Sequence, residues 1–102
     1  MSTLHTVNKS PFTHNTLASC IAICVEADGI LLLEDGVFGA MTTTPCAFHL
    51  SDLIRQGTKV YALEDDVKAR GLLEKLLPGV LLTNYTRFVQ LSIEHRCVQS
   101  WY

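Results

Sequence analysis

Charge, proline and long apolar runs are all scarce in this sequence, and each shortage excludes a class of protein. Of its 102 residues only 18% are charged, and 8 Lys and Arg against 10 Asp and Glu leave a net charge of −2. A chain with this balance has no basic field that could hold a nucleic-acid backbone. Three prolines and six glycines are too few for collagen or a disordered tract. The longest apolar runs, 18–25 and 30–33, are too short to span a bilayer.

Signatures of nucleotide, metal and acyl-transfer chemistry are missing as well. The chain contains neither GxGxxG nor GxxxxGK[ST], and Gly-x-Ser-x-Gly is absent. Its four histidines are scattered, and no Cys or His spacing matches a zinc site. We therefore expect no cofactor, no resident metal and no direct contact with nucleic acid.

The N-terminal residues lack a basic segment followed by an apolar one, so no secretory signal is expected. The chain is therefore predicted to be cytoplasmic, with no membrane partner. In that reducing compartment the four cysteines should remain thiols. The length allows a single domain, 1–102. Because 48% of so small a chain is apolar, part of its apolar surface is expected to face a partner chain.

Short apolar runs recur along the chain with room for a helix between them. They are Leu4–Val7, Ile30–Leu33, Val60–Leu63, Val80–Leu82 and, more weakly, Val98–Trp101. A parallel crossover needs about a dozen residues or more, and the gaps meet that requirement, the last one narrowly. The pattern predicts an α/β fold: one compact domain with a mainly parallel five-stranded sheet and helices on both faces.

Apolar period and capping residues place a helix in each gap. The predicted limits are 13–26, Thr44-Pro45 to Gly57, Asp65 or Asp66 to Gly71, and Asn84 to about His95-Arg96. In an open α/β sheet, ligands collect at the carboxyl ends of the strands. Those ends carry the acidic pairs Glu34-Asp35 and Asp65-Asp66, which disfavour a phosphate cradle and are expected to cap the helices that follow.

Cys20 is the best candidate for a reactive side chain. Cys20 and Cys24 form a CxxxC pair one helical turn apart on the stripe predicted to face the sheet. The alternative is that both are small core residues, since free cysteine is often buried. Cys20 lies nearer the helix start and the strand-end loops. Cys46 is expected at the second position of its helix. Either the backbone N–H groups there lower the pKa of its thiol, or the residue has no special role. Cys97 has weaker support as a reactive thiol.

Two apolar segments are candidates for contact with another chain. Trp101-Tyr102 closes the sequence with two large aromatic residues, where exposed ends are usually polar. The segment Val37–Met41 places apolar residues just beyond the second predicted strand. The C-terminal pair is predicted to be tied either into the sheet of the chain itself or into a neighbouring subunit, and both segments are interface candidates.

Several segments together resemble the DsrH/TusB family, in the right order over nearly the whole chain. They are Leu4-His5-Thr6-Val7-Asn8-Lys9-Ser10-Pro11-Phe12, Ile30-Leu31-Leu32-Leu33-Glu34-Asp35-Gly36-Val37-Phe38, Lys59-Val60-Tyr61-Ala62-Leu63, Lys68-Ala69-Arg70-Gly71, Asn84-Tyr85-Thr86-Arg87-Phe88-Val89 and Val98-Gln99-Ser100-Trp101. The resemblance implies a subunit of a sulfur relay that passes persulfide sulfur between cysteines. The segment Met41–Cys46 matches no family pattern, so Cys46 receives no role from it.

The resemblance also implies partners and a pathway. Such complexes are α2β2γ2 hexamers with DsrE-like and DsrF-like (TusD-like and TusC-like) subunits, and they serve an acceptor of the DsrC/TusE type. A cysteine in the first helix resembles the DsrH branch, so Cys20 is the expected sulfur-carrying residue and bacterial sulfur oxidation the expected pathway. The alternatives are a TusB-type subunit of a tRNA-thiolation relay, or a purely structural subunit beside a sulfur-carrying DsrE or TusD partner. An independent small-molecule-binding module has less support.

Overall fold

The computed structural model describes residues 2–102, which form five strands, four α-helices and one 3₁₀ helix. In chain order these are β1 Thr3–Val7, α1 Thr16–Ile23, β2 Gly29–Leu32, the 3₁₀ helix Glu34–Ala40, α2 Ala47–Arg55, β3 Lys59–Leu63, α3 Glu64–Ala69, β4 Leu81–Thr83, α4 Tyr85–Glu94 and β5 Cys97–Trp101. All five predicted strands are present, so the α/β prediction is confirmed.

The sheet is parallel throughout and has the strand order β4-β3-β2-β1-β5. Strands β1, β2 and β3 are almost entirely buried because helices cover both faces of the sheet. Strands β2 and β3 are mainly apolar, whereas β1 also contains the polar residues Thr3, His5 and Thr6. In contrast, β5 lies at an edge, pairs only with β1 and is largely exposed. Strands β2, β3 and β4 therefore lie on one side of β1, whereas β5 lies on the other. In a doubly wound sheet, a crevice usually forms where the strand order reverses in this way.

The larger core lies between one face of the sheet and the first four helical segments. Its buried members are Val7, Ile30, Leu32, Val60 and Ala62 from the sheet, with Leu17, Cys20, Val37, Ala40, Leu50 and Val67 from the helices. The other face carries a smaller core in which Leu91 of α4 packs on Leu4, Leu31 and Tyr61. Helices thus occupy both faces, as predicted, but α4 alone covers the second face.

Helix α1 is shorter than the predicted 13–26, because turns replace both of its expected ends. The amides of Thr13 and His14 both donate to the carbonyl of Ser10, which forms a turn ahead of the helix. At the other end Cys24 adopts an extended backbone, with φ −68° and ψ 134°. This departure lets the next amide, that of Val25, donate to the carboxylate of Asp28.

The start of α2 also differs from the prediction. Thr44 and Pro45 lie in a preceding turn, closed by the amide of Ala47 donating to the carbonyl of Thr44, and Cys46 takes the N-cap position. Gly57 follows the helix with φ +106°, as its predicted role as the stop requires.

Gly36, in the 3₁₀ helix, packs directly on the end of β1. A Cβ added to Gly36 would overlap the carbonyl oxygen of Val7, a backbone atom that cannot turn away. The same carbonyl accepts the amide of Leu33, so β1, β2 and the 3₁₀ helix meet at this point. Only glycine fits there without moving the backbone of the sheet.

We expect Gly36→Ala to lower the free energy of unfolding by at least about 3 kcal/mol, because the clash is with backbone. Gly71→Ala is the matched control. A Cβ at Gly71 meets nothing within 4 Å, so this variant carries only the strain of a non-glycine residue at φ +67°. That control should cost only about 1 kcal/mol. Urea unfolding of both variants measures the difference, and equal costs would contradict the close approach.

Candidate functional site

The structure buries the candidate Cys20 completely, on the face of α1 that packs against the sheet. Leu17 lies one turn earlier on the same face and is also fully buried. Burial raises the pKa of the Cys20 thiol to about 12, with smaller contributions from Cys24 and from the carboxylate of Asp28. In this conformation Cys20 is a protonated thiol that solvent does not reach.

Cys24 lies one turn further along, at the C-cap of α1, and is only partly buried. Its thiol is 3.7 Å from the carbonyl oxygen of Val25. Burial, followed by the nearby charge of Asp28, raises the pKa of Cys24 to about 11. The pair predicted from the CxxxC spacing is therefore present, with one thiol inside the core and the other at its margin.

Beside this pair, the fold brings together His5, Cys24 and Asp28, whose ligand atoms lie within 4.8 Å of one another. Sequence reasoning identified neither His5 nor Asp28 as part of a site. His5 comes from β1, whereas Asp28 ends the turn between α1 and β2. The only signals in the sequence are a histidine within the predicted strand Leu4–Val7 and an acidic residue directly before Gly29 and the second apolar run.

Asp28 accepts hydrogen bonds from three directions. Its Oδ1 accepts the amide of Thr3 at 3.0 Å, and its Oδ2 accepts the amide of Val25 at 3.2 Å. The Nε2 atom of His5 lies 2.9 Å from the same Oδ2. Burial raises the pKa of Asp28, but these hydrogen bonds outweigh it and hold the pKa below its ordinary value. Asp28 is therefore a charged carboxylate, and both of its oxygens accept hydrogen bonds.

Trp101, at the end of β5, fixes the tautomer of His5. The indole Nε1 is 3.0 Å from Nδ1 of His5, and an indole nitrogen can only donate. The Nδ1 atom must therefore accept, so the ring proton lies on Nε2 and is donated to Asp28. With one nitrogen accepting and the other donating, neutral His5 has no free lone pair.

This arrangement does not favour a metal ion at His5, Cys24 and Asp28. A histidine that binds a metal usually donates its other N–H to an acceptor. Here the partner of Nδ1 is a donor, so an ion would have to displace either Trp101 or the Nε2 proton. The side chains of His5, Asp28 and Trp101 form a hydrogen-bonded unit, and the bond from the amide of Val25 to Asp28 fixes the turn that follows Cys24.

The remaining two cysteines lie elsewhere. Cys46 lies at the N-cap of α2 rather than at its second position, and burial raises the pKa of its thiol, which favours the alternative in which it has no special role. It lines a shallow groove of about 210 Å³ with Ala18, Ile21, Ala22 and His49. Cys97 is exposed on β5, with its sulfur 3.8 Å from the hydroxyl of Thr3.

The acidic residues at the carboxyl edge of the sheet link the 3₁₀ helix to α3. Asp66 Oδ2 accepts the amide of Glu34 at 2.7 Å. Arg70 pairs with Asp35 at 3.0 Å and with Asp66 at 3.7 Å. Asp66 and Asp35 thus join α3 to the 3₁₀ helix, whereas we had expected each acidic pair to cap the helix that follows it. Glu34 adopts φ +51° at this junction.

The two predicted interface segments differ in exposure. In Val37–Met41, Val37 and Ala40 are fully buried and Met41 is half-buried, so this segment belongs mainly to the core of the chain. At the C-terminus Trp101 is half-buried against His5, but Tyr102 is 84% exposed. Among residues 2–102, no helix is both long and apolar enough to cross a bilayer.

The charge of Asp28 predicts an acid-dependent loss of stability. Because its pKa is lower in the folded chain than its ordinary value of 3.8, its stabilising contribution is complete above that pH. The contribution is lost as the pH falls through the folded-state pKa. We expect Asp28→Asn to cost about 2 kcal/mol or more near neutral pH, because buried donors lose an ionised acceptor.

Chemical denaturation between about pH 7 and pH 2 measures this effect. The gap in free energy of unfolding between the unaltered chain and Asp28→Asn should narrow below pH 3.8. Asp65→Asn, at an exposed position of α3, is the control and should show no such gap. A gap that stays constant over this range would contradict the ionised hydrogen-bond acceptor.

Comparison with known proteins gives one consistent result. A family model described as DsrH like protein matches residues 9–98. The chain is 36% identical over 98 residues to Protein TusB of Escherichia coli and to Protein TusB of Yersinia pestis, covering 96% of this chain and 99% of each relative.

Solved structures agree in fold. The ychN protein of E. coli superposes with a TM-score of 0.82 at 17% identity, covering 98% of this chain and 99% of that one. The protein MTH1491 of Methanobacterium thermoautotrophicum gives a TM-score of 0.78 at 16% identity, covering 97% of each chain. Identities this low establish the α/β architecture alone, whereas the family match and the TusB relatives extend over almost the whole sequence. This chain therefore belongs to the DsrH family of sulfur-relay subunits.

Proposed function

We propose that this chain is one subunit of a cytoplasmic complex that passes persulfide sulfur between cysteines during bacterial sulfur oxidation, with Cys20 as its sulfur-carrying residue. Family membership over residues 9–98 is the observation that carries the proposal. The four free thiols of the chain fit a reducing compartment. The position of Cys20 in the first helix favours the DsrH branch.

The chemistry is a thiol exchange. A thiolate attacks the outer sulfur of a donor persulfide, a sulfur–sulfur bond forms, and the donor thiolate leaves. With a pKa of about 12, only about one Cys20 thiol in 10⁵ is ionised at pH 7. Direct attack of Cys20 on a donor persulfide therefore requires α1 to open or a partner to supply positive charge.

Helix α1 has few local interactions that would resist such opening. It has eight residues, no side-chain hydrogen bond at its N-cap, and no acidic or basic residue in its end turns. A helix this short depends on tertiary packing for its stability. Local opening of weakly held elements is a common route to a buried side chain.

Two alternatives each have an observation in their favour. The relatives named TusB support a subunit of a tRNA-thiolation relay. The complete burial of Cys20 supports a purely structural subunit whose DsrE-like or TusD-like partner carries the sulfur. Measurement of sulfur on Cys20 within the complex separates the second alternative from the main proposal.

We place the contact with partner subunits on α4. Tyr85, Val89 and Ile93 lie at positions i, i+4 and i+8 and form an apolar stripe; Ile93 is 78% exposed. Val98 of β5 and Tyr102 extend the apolar surface toward the edge of the sheet. An exposed apolar stripe of this kind marks a protein–protein contact. The proposed partners are DsrE-like and DsrF-like subunits in an α2β2γ2 hexamer, with an acceptor of the DsrC/TusE type.

Ile93→Glu should therefore weaken association at least tenfold, because it places a charge in a contact that excludes water. Co-expression with tagged DsrE-like and DsrF-like chains, followed by size-exclusion chromatography, measures the amount of complex. Gln90→Glu is the matched control, since Gln90 is exposed on the same helix but outside the stripe. Complex formation unaffected by Ile93→Glu would exclude α4 as the contact, and no complex with the unaltered chain would overturn the proposed function.

Cys20→Ala should reduce sulfur delivery from the assembled complex to its acceptor at least tenfold, because the carrier thiol is removed. The measurement is mass spectrometry of sulfur on the acceptor after loading with a persulfide donor. Cys97→Ser is the control, because Cys97 is exposed and lies outside the cluster around α1. Unchanged delivery by Cys20→Ala would assign the sulfur to a partner chain and leave this subunit a structural role.

A further inference from the structure

We propose that Cys24 is the receiving thiol of this chain: it takes the sulfane sulfur from an incoming persulfide and passes it to Cys20. This inference rests on the proposed sulfur-relay function and assigns its first step to a residue that the family resemblance does not mark. It follows from the different exposure of two thiols on consecutive turns of one helix.

Access favours Cys24. Cys20 is 0% exposed in the middle of α1, so a donor cysteine cannot touch it while the helix is folded. Cys24 is partly exposed, where the backbone has left the helix. Its neighbours Ile23 and Val25 are 59% and 57% exposed, which leaves an apolar rim around the thiol. A donor protein docking on that rim would reach Cys24 first.

The separation between the two cysteines suits direct transfer. The amide of Cys24 donates to the carbonyl of Cys20 at 3.1 Å, so the chain keeps helical spacing up to this residue. Four residues of helix rise about 6 Å, which lies within the range of Cα separations over which two cysteine sulfurs can be bonded. Both side chains pack against the same core cluster and therefore lie on one face of the helix. A sulfur bound to Cys24 needs no large movement to reach Cys20.

Hydrogen bonds to Asp28 hold the turn after Cys24 in place. The amide of Val25 and the amide of Thr3 both donate to Asp28, whose Oδ2 also accepts from His5. Neither ring nitrogen of His5 is free to take a proton, since one accepts from Trp101 and the other donates to Asp28. The network therefore fixes the position of Cys24 without serving as its base, and the thiol proton leaves to water.

Both steps balance without an added oxidant. In the first, the Cys24 thiolate attacks the outer sulfur of the donor persulfide, the donor's sulfur–sulfur bond breaks, and the donor thiolate leaves with the electron pair and takes up a proton. In the second, the Cys20 thiol gives up its proton and its sulfur attacks the outer sulfur of the Cys24 persulfide, the sulfur–sulfur bond of that persulfide breaks, and Cys24 leaves as the thiolate and takes up the proton. One sulfur–sulfur bond forms for each that breaks, so nothing is oxidised or reduced overall.

The test uses the full-length chain carrying Cys97→Ser, which removes the exposed thiol that would compete for the donor. Glutathione persulfide is added, the reaction is quenched with an alkylating agent at successive times, and peptide mass spectrometry locates the added sulfur. We expect sulfur on Cys24 first and on Cys20 later. Cys20→Ala should leave loading of Cys24 unchanged, whereas Cys24→Ser should slow loading of Cys20 at least tenfold.

Loading of Cys20 at an unchanged rate in Cys24→Ser, or sulfur on Cys20 before Cys24, would overturn the inference. Cys24→Ala provides a second variant, and circular dichroism of each variant shows that the fold is retained. The proposed function is tested separately by association with the partner subunits. A chain that binds partners but never carries sulfur on Cys24 contradicts only this inference, whereas one that loads Cys24 in order but binds no partner contradicts only the proposed function.

Discussion

The carboxylate of Asp28 joins the parts of the chain that surround Cys24. It accepts the first amide of β1, the side chain of His5 in the same strand, and the amide that follows Cys24. Through His5 it is also linked to Trp101 at the far end of the sequence. A buried charge is tolerated only when its hydrogen bonds are complete. The positions of β1, β5 and the end of α1 are therefore coupled to one another through this residue.

The carboxylate of Asp28 also affects the pKa values of the Cys20 and Cys24 thiols. Its negative charge opposes the formation of a thiolate at Cys24 and at Cys20, although burial is the larger cause at both. Both cysteines are consequently protonated at rest and are poor nucleophiles.

The strands could be predicted from sequence because buried parallel strands carry apolar runs that need no knowledge of the rest of the fold. Cys20 and Cys24 could be placed on one buried stripe for the same reason, since helical period is a local property. The network around Asp28 could not be found this way. Its central contact joins His5 to Trp101, 96 residues apart in the sequence, and depends on β5 pairing with β1. The end of α1 was misplaced because Val25 binds Asp28 instead of continuing the helix.

The helices cover the two faces of the sheet unequally, and this difference relates the fold to the proposed assembly. Four helical segments fill one face, so Cys20 and Cys24 lie on a side of the sheet that is already covered. On the other face α4 stands alone, and its inner side supplies Leu91 and Phe88 to the smaller core. Its outer side still carries Val89 and Ile93 in contact with water. The apolar positions of α4 extend around more of the helix than the face that the sheet covers. This helix therefore has the pattern of an element packed between two partners. The chain itself provides one of them, the sheet.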